Sequence, residues 1–372
     1  MIRIFHTSDN HLGMTFTKYP EEVRSKLIEA RVTTLEKMVE FANDKNANLF
    51  VVAGDLFNTL NVSNQLIKKA CDIFRKFTGN AVLILPGNHD YYSGNERLWE
   101  KFYEYMSDET LILNEFRKYQ LDIFGVNADI YPAFCQSKHG KVNNLDWIVN
   151  SDINHEKINI GIAHGAFEGI TPDLEGNYFY MSREQLNSID MDIWLLGHTH
   201  IPYPEDGKAR EDRIFNAGTH EPDGMNYRYG GSGFLIDINQ DKKLNSERFI
   251  SGEYRFKDMI EYISGDREFE DLIDKLNTNE NKKMLLRLNL KGYLEKEIYE
   301  RRSDYYKILS DSLLYFDIID DDLKLRLTKD AIADFYMEGS FPFKMLEKLE
   351  NDEMAVQMAF DLIESCKEEV RR

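Results

Sequence analysis

The sequence predicts an α/β fold over residues 1–252 followed by a smaller α+β domain, and three observations carry that prediction. Short apolar runs of strand type alternate with amphipathic helical stretches through the first half, the pattern of β-α units laid on a sheet. Most glycines and turn residues lie before Gly252, whereas the chain beyond it is charged and helical. Residues of metal-ligating type, finally, recur directly after the strand runs.

Taken in order, residues 2–7 read as a first strand and 22–45 as a long helix, with Val23, Leu27, Ala30, Leu35, Met38, Val39 and Ala42 at helical spacing. Residues 49–53 form a second strand, 64–77 a helix, 81–85 a third strand and 96–106 another helix. Further strands are expected at 121–126, 158–163, 193–196, 213–216 and 233–238. Helical patterns thin out after about residue 110, so the second sheet is expected to be more antiparallel. Residues 253–340 read as the α+β domain, with a strand pair at 284–290 and 323–327. Residues 341–372 carry Met345, Leu346, Leu349, Met354, Met358, Ala359, Leu362 and Ile363, a spacing that predicts two short amphipathic helices.

At 372 residues, 42% hydrophobic and 12% aromatic, the chain can bury a large core, which excludes global disorder. Its longest apolar runs are about five residues, short of the ~20 that a membrane helix needs. The N-terminus enters the first strand without a signal peptide's basic start and apolar stretch, so a cytoplasmic protein is expected. Cys71, Cys135 and Cys366 are scattered, which fits a reducing compartment. With 46 basic and 65 acidic side chains the net charge is −19, which argues against unaided nucleic-acid binding. A polyanionic substrate would need local help from metal ions or a partner.

Asp9-Asn10-His11 follows the first strand run, Gly54-Asp55 the second and Gly87-Asn88-His89-Asp90 the third; His164 and Gly197-His198-Thr199-His200 follow two later ones. Sites in open α/β sheets form at the carboxyl ends of strands, so these five segments are expected to meet in one crevice. Taken singly, a strand-end Asp is ordinarily a turn former and a lone His ordinarily a surface or core residue; five in succession argue for a site. The ligand set is Asp9, His11, Asp55, Asn88, His164, His198 and His200, and seven ligands with a shared carboxylate suit two ions. Oxygen and nitrogen donors without thiolate favour manganese, iron or zinc.

The succession D-x-H, G-D, G-N-H-D, a lone His before Gly, and G-H-x-H resembles the calcineurin-like metallophosphoesterases over about residues 1–220. The runs His6-Thr7-Ser8-Asp9-Asn10-His11-Leu12-Gly13, Val52-Ala53-Gly54-Asp55-Leu56-Phe57 and Asn216-Ala217-Gly218-Thr219-His220-Glu221-Pro222 are similar to those of the bacterial SbcD-like DNA repair exonucleases. That resemblance implies a four-layer α/β/β/α metallophosphoesterase sandwich with a smaller α+β C-terminal cap domain. It also implies that Asp9, His11, Asp55 and His200 hold one ion and Asp55, Asn88, His164 and His198 the other. By the same resemblance His89 acts on the substrate, Asp90 orients and polarises its imidazole, and no covalent enzyme intermediate forms. The implied enzyme is a two-metal DNA nuclease with manganese, or with iron, zinc or magnesium, in its site. Such a nuclease is a 3′–5′ double-strand exonuclease with single-strand endonuclease activity, a homodimer, and the partner of an SbcC-like ATPase with a coiled coil. One departure is Asn58, where many relatives carry a His; His220 either compensates or is structural. The alternative is a small-molecule phosphodiesterase or phosphatase on the same di-metal core, which the acidic balance suits. The C-terminal apolar residues either dock the ATPase or pack on their own domain.

Overall fold

Nearly every strand of the first half is buried along its whole length, because the sheets have apolar layers on both faces. The computed structural model describes residues 1–142, 144–171 and 176–371, which divide into two units, Met1–Arg255 and Phe256–Arg372. The first unit runs β1 (Ile2–Thr7), α1 (Glu21–Asp44), β2 (Leu49–Ala53), α2 (Asn64–Phe74), β3 (Ala81–Leu85), α3 (Arg97–Tyr105) and β4 (Thr110–Ile112). It continues through β5 (Tyr119–Gln120), β6 (Ala128–Ala133), α4 (Asp146–Val149), β7 (Ile158–His164), α5 (Arg183–Ser188), β8 (Ile193–Gly197), β9 (Ile214–Asn216), β10 (Ser232–Ile238) and β11 (Leu244–Ile250). One sheet has the order β11-β10-β1-β2-β3-β4 and the other β5-β6-β7-β8-β9.

Three apolar clusters define the layers. Ile4, Val51 and Leu83 of the first sheet pack with Ile130, Ile160 and Leu195 of the second, so the two sheets meet face to face. The outer face of the first sheet, with Phe5, Phe50 and Val52, is covered by Leu35 and Met38 of α1, Ile67 of α2 and Phe102 of α3. The outer face of the second, with Tyr131, Ala163 and Trp194, is covered by Ile148 of α4 and Leu186 of α5. The result is the expected α/β/β/α sandwich.

Two expectations are corrected. The second sheet is parallel across β6, β7, β8 and β9, and only β5 pairs antiparallel. Its crossovers are carried by irregular chain and short helices such as α5, so the shortage of helical pattern did not signal hairpins. Residues 121–126 are also not a strand: Leu121–Phe124 is a 3₁₀ turn closed by Gly125 at φ 74°, and the strand is β6 just beyond it.

The second unit contains β12 (Arg255–Ile263, which begins on the last residue of the first), α6 (Asp266–Leu276), β13 (Met284–Leu294), α7 (Lys296–Ser312) and β14 (Tyr315–Leu325). β13 and β14 run parallel with α7 as crossover, pairing Leu285 with Tyr315, so the second strand starts well before residue 323. α8 (Lys329–Phe335), α9 (Phe341–Leu349) and α10 (Glu353–Arg371) follow, and the last is 19 residues long rather than short.

Candidate metal centre

Because β1, β2 and β3 run parallel, as do β7 and β8, their carboxyl ends open on a common edge in each sheet. Six of the seven expected ligands stand in the loops leaving those ends, together with His89 and Asp90, and the seventh, His164, is the last residue of β7. The chain turns there through strained backbone: Asp9, His11, Asp55 and His198 have φ of 50°, 43°, 53° and 98°, a left-handed region that L-residues enter at a cost. The loops are tied to one another, with the Asp9 amide donating to the Gly54 carbonyl (3.0 Å) and the His11 amide to that of Asp55 (2.9 Å).

Three groups of side chains bring one ligand atom each within 4.8 Å of the others: Asp9, His11 and His200; His11, Asp55 and His89; and Asp9, Asp55 and His164. Asn88 joins them through Oδ1, which lies 3.1 Å from His164 Nε2 and 3.0 Å from His198 Nδ1. His164 donates from Nδ1 to the Ala53 carbonyl (2.8 Å), which aims Nε2 at Asp55 Oδ2 (3.4 Å). His200 donates from Nδ1 to Asp223 Oδ2 (2.5 Å), which aims its Nε2 at His11 Nε2 (3.1 Å) and Asp9 Oδ1 (3.8 Å).

These contacts test whether the residues fit metal ions. Carboxylate oxygens, an amide oxygen and imidazole lone pairs converge in a buried space where acceptors face acceptors, an arrangement stable only around positive charge. Without a cation, protons must supply it. Burial lowers the His164 pKa, but the charge of Asp55, its hydrogen bond and the charge of Asp9 together outweigh burial and push it up to about 9. Burial likewise opposes ionisation of Asp55, yet His164 and His11 hold its carboxyl below the usual range. Burial and the neighbouring charge of His164 push His198 down to about 3, leaving it neutral with a free lone pair. The donor set therefore fits divalent cations.

His89 and Asp90 hydrogen-bond to groups other than one another. The His89 Nδ1 donates to the backbone carbonyl of Asn58 (3.0 Å), and its ring stands edge-on to His11 with centroids 4.8 Å apart. Asp90 instead accepts from the amides of Gly87 (2.7 Å) and Phe57 (2.9 Å). It braces two site loops, and the group that orients His89 is the Asn58 carbonyl. Burial and the charge of Asp55 push the Asp90 carboxyl up to about 7. His220 is structural, with Nε2 donating to the Arg31 carbonyl (2.7 Å) in full burial.

Sequence reasoning missed Asp223, the carboxylate behind His200, and Arg31. The buried Arg31 guanidinium donates to the carbonyls of Asn10 (2.8 Å), Asp9 (3.2 Å) and Glu221 (3.1 Å) and to Thr219 Oγ1 (2.9 Å). Its signal was a charged residue on the stripe Leu27, Arg31, Leu35, at i, i+4 and i+8 of α1.

The calcineurin-like phosphoesterase family matches residues 2–202, the stretch that carries all seven candidate ligands. The chain belongs to that family, whose members are metal-dependent hydrolases of phosphoester bonds. It is 25% identical over 213 residues to the uncharacterized metallophosphoesterase YhaO of Bacillus subtilis (strain 168), a match covering 54% of this chain and 48% of that protein. The match thus spans about half the length of this curated relative. The crystal structure of TT1561 of Thermus thermophilus is 12% identical, covers 66% of this chain and 97% of that one, and has a TM-score of 0.38. No helix among the described residues is long and apolar enough to cross a membrane.

Proposed function

We propose that the protein is a two-metal-dependent DNA nuclease of SbcD-like type, a cytoplasmic homodimer acting in DNA repair with an SbcC-like ATPase. Its expected activity is 3′–5′ exonuclease on duplex ends together with single-strand endonuclease. The convergence of seven oxygen and nitrogen ligands beside a histidine that is not needed as a ligand carries this reading. Asp9, His11, Asp55 and His200 would hold one ion and Asp55, Asn88, His164 and His198 the other, with manganese the metal best suited to the donor set. Bound there, divalent cations offset the charge of phosphoryl oxygens and acidify water. The residues do the rest. With Nδ1–H committed to the Asn58 carbonyl, His89 keeps Nε2 for the substrate, where the doubly protonated ring would donate a proton to the leaving oxygen. Asp223 and the Ala53 carbonyl fix the tautomers of His200 and His164, so that each presents its Nε2 lone pair inward.

The C-terminal helices support the ATPase as partner. Leu346 and Val356 are buried in their own domain, whereas Met354, Met358 and Leu362, at i, i+4 and i+8 of α10, are 69%, 68% and 60% exposed. The stretch therefore packs on its own domain by one face and offers the other to solvent. The outward stripe suits a coiled coil, and Met side chains adapt to such a partner. The net charge of −19 favours the second reading, a small-molecule phosphodiesterase or phosphatase on the same centre.

Hydrolysis of labelled linear duplex DNA and of bis-p-nitrophenyl phosphate with manganese, by wild type and His89→Ala, tests the proposal. DNA degradation that falls ~10²–10⁴-fold in the variant, with metal content near normal, is the expected result. Full activity of His89→Ala would remove the mechanism, and cleavage of the small ester alone, also in the presence of the ATPase, would favour the second reading.

A further inference from the structure

β6 runs parallel to β7 and so ends at the same edge as His164, yet it delivers no candidate ligand. The loop leaving β6 is unusual in charge. Residues 136–145 hold Lys138, His139 and Lys141 and no carboxylate, in a chain with 65 Asp and Glu among 372 residues, about one in six.

The root of this loop is fastened to the metal centre and its tip to residues 177–179. At its root the Cys135 amide donates to the carbonyl of Pro86 (3.1 Å), which precedes Gly87-Asn88-His89. The Cys135 thiol donates to the His164 carbonyl (3.3 Å), and the Tyr92 amide donates to the Cys135 carbonyl (3.0 Å). At its tip, the Gly140 amide donates to the Asn177 carbonyl and the Phe179 amide to that of Gly140, both at 2.8 Å. Between those bonds the Tyr178 ring packs against both His139 and His198, with centroids 5.1 Å apart in each pair. His139 thus stands within about 10 Å of a candidate ligand. Lys138 and Lys141 are exposed, and neither forms an ion pair among the described residues.

We propose that the loop at residues 136–142 is a backbone-phosphate subsite for a nucleic-acid strand, in which Lys138 and Lys141 grip phosphates flanking the one at the metal centre. The inference rests on the nuclease reading and deepens it. Phosphates recur every ~3.4 Å of helix axis on each strand and lie further apart along the backbone itself, so a loop whose His139 stands within about 10 Å of a ligand is placed to meet the phosphates next to the one at the centre. A small ester has no flanking phosphate and gains nothing from the loop. Positive charge held at one place beside the site also explains how a chain of net charge −19 can take a polyanion.

The test compares kcat/KM for labelled linear duplex DNA with that for bis-p-nitrophenyl phosphate, with manganese, in wild type, Lys138→Ala/Lys141→Ala and Lys138→Arg/Lys141→Arg. The alanine pair is expected to lower the DNA-to-ester ratio at least ~10-fold and to flatten the log–log dependence of the DNA reaction on salt by about 2, at ~0.9 per lost phosphate contact. The arginine pair is expected to restore both. A ratio within about twofold of wild type in the alanine pair, or an equal loss in the arginine pair, overturns the subsite while leaving the nuclease reading intact. A wild type that turns over the ester and never DNA, also in the presence of the ATPase, overturns the nuclease reading, and the subsite with it.

Discussion

Gly54 and Gly87 show how closely backbone and ligands approach at the centre. A Cβ on Gly54, whose φ is 92°, would overlap the His164 imidazole, and one on Gly87 would overlap both Asp55 Oδ1 and the Asp55 amide. Gly87→Ala is therefore expected to displace Asp55 and to lose metal while the helices persist, which elemental analysis beside circular dichroism will check. Asp55→Asn is expected to release both ions rather than one, since Asp55 lies in reach of both His11 (3.6 Å) and His164 (3.4 Å); two metals retained per chain would refute a bridging role. Asp223→Asn leaves every ligand in place but removes the charge that orients His200, and metal affinity is expected to fall ~10–100-fold in a competition titration with a chelating dye. The ligands themselves were legible because each polar residue breaks a buried apolar run at a strand end. Asp223 was not, since it lies in a run with Pro222 and Gly224 where an Asp ordinarily forms a turn. Lys138 and Lys141 escaped notice because separated lysines make no cluster in sequence, and it is the tertiary bonds of Cys135 and Gly140 that hold their loop near the site.

Elements succeed or fail as sequence signals according to what they pack against. β1, β2 and β3 are apolar on both faces because a second sheet covers one face and helices the other, so their runs stand out. β6 reads Ala-Asp-Ile-Tyr-Pro-Ala, and its Asp and Pro argue against a strand. The structure accommodates Asp129 in full burial because Lys157 reaches it (3.0 Å). The stretch 121–124 has the opposite character: Leu-Asp-Ile-Phe alternates like a strand, but Ile123 is 81% exposed and Gly125 turns the chain. α1 does more than cover a sheet, because Arg31 carries its buried stripe to the Asp9 and Glu221 loops. Arg31→Met keeps the volume but strips donors from three carbonyls and leaves Glu221 short of a countercharge, so a loss of about 3–5 kcal/mol is expected in urea unfolding. A loss below ~1 kcal/mol would show that the two loops hold themselves without the helix.

At the scale of the molecule, each unit carries its own apolar cores: Leu83 and Ile160 belong to a cluster confined to the first, Leu286 and Leu309 to one confined to the second. All candidate ligands lie in the first unit. Ligand binding stabilises only what it folds with, by about 2.7 kcal/mol at a concentration ~100 times Kd. For a unit of this size each kcal/mol raises Tm by about 2–4 °C, so saturating manganese is expected to raise the melting of the first unit by roughly 5–10 °C. The melting of the second, which holds none of the ligands, is expected to stay where it was. Differential scanning calorimetry of the full chain, with manganese and with a chelator, reads both transitions in one experiment. In Asp55→Asn the metal-dependent shift is expected to vanish, which ties it to the centre rather than to cations spread over an acidic surface. A single transition that moves as a whole in wild type would instead mean that the two cores unfold as one, and that binding at the strand ends is felt by the C-terminal helices as well.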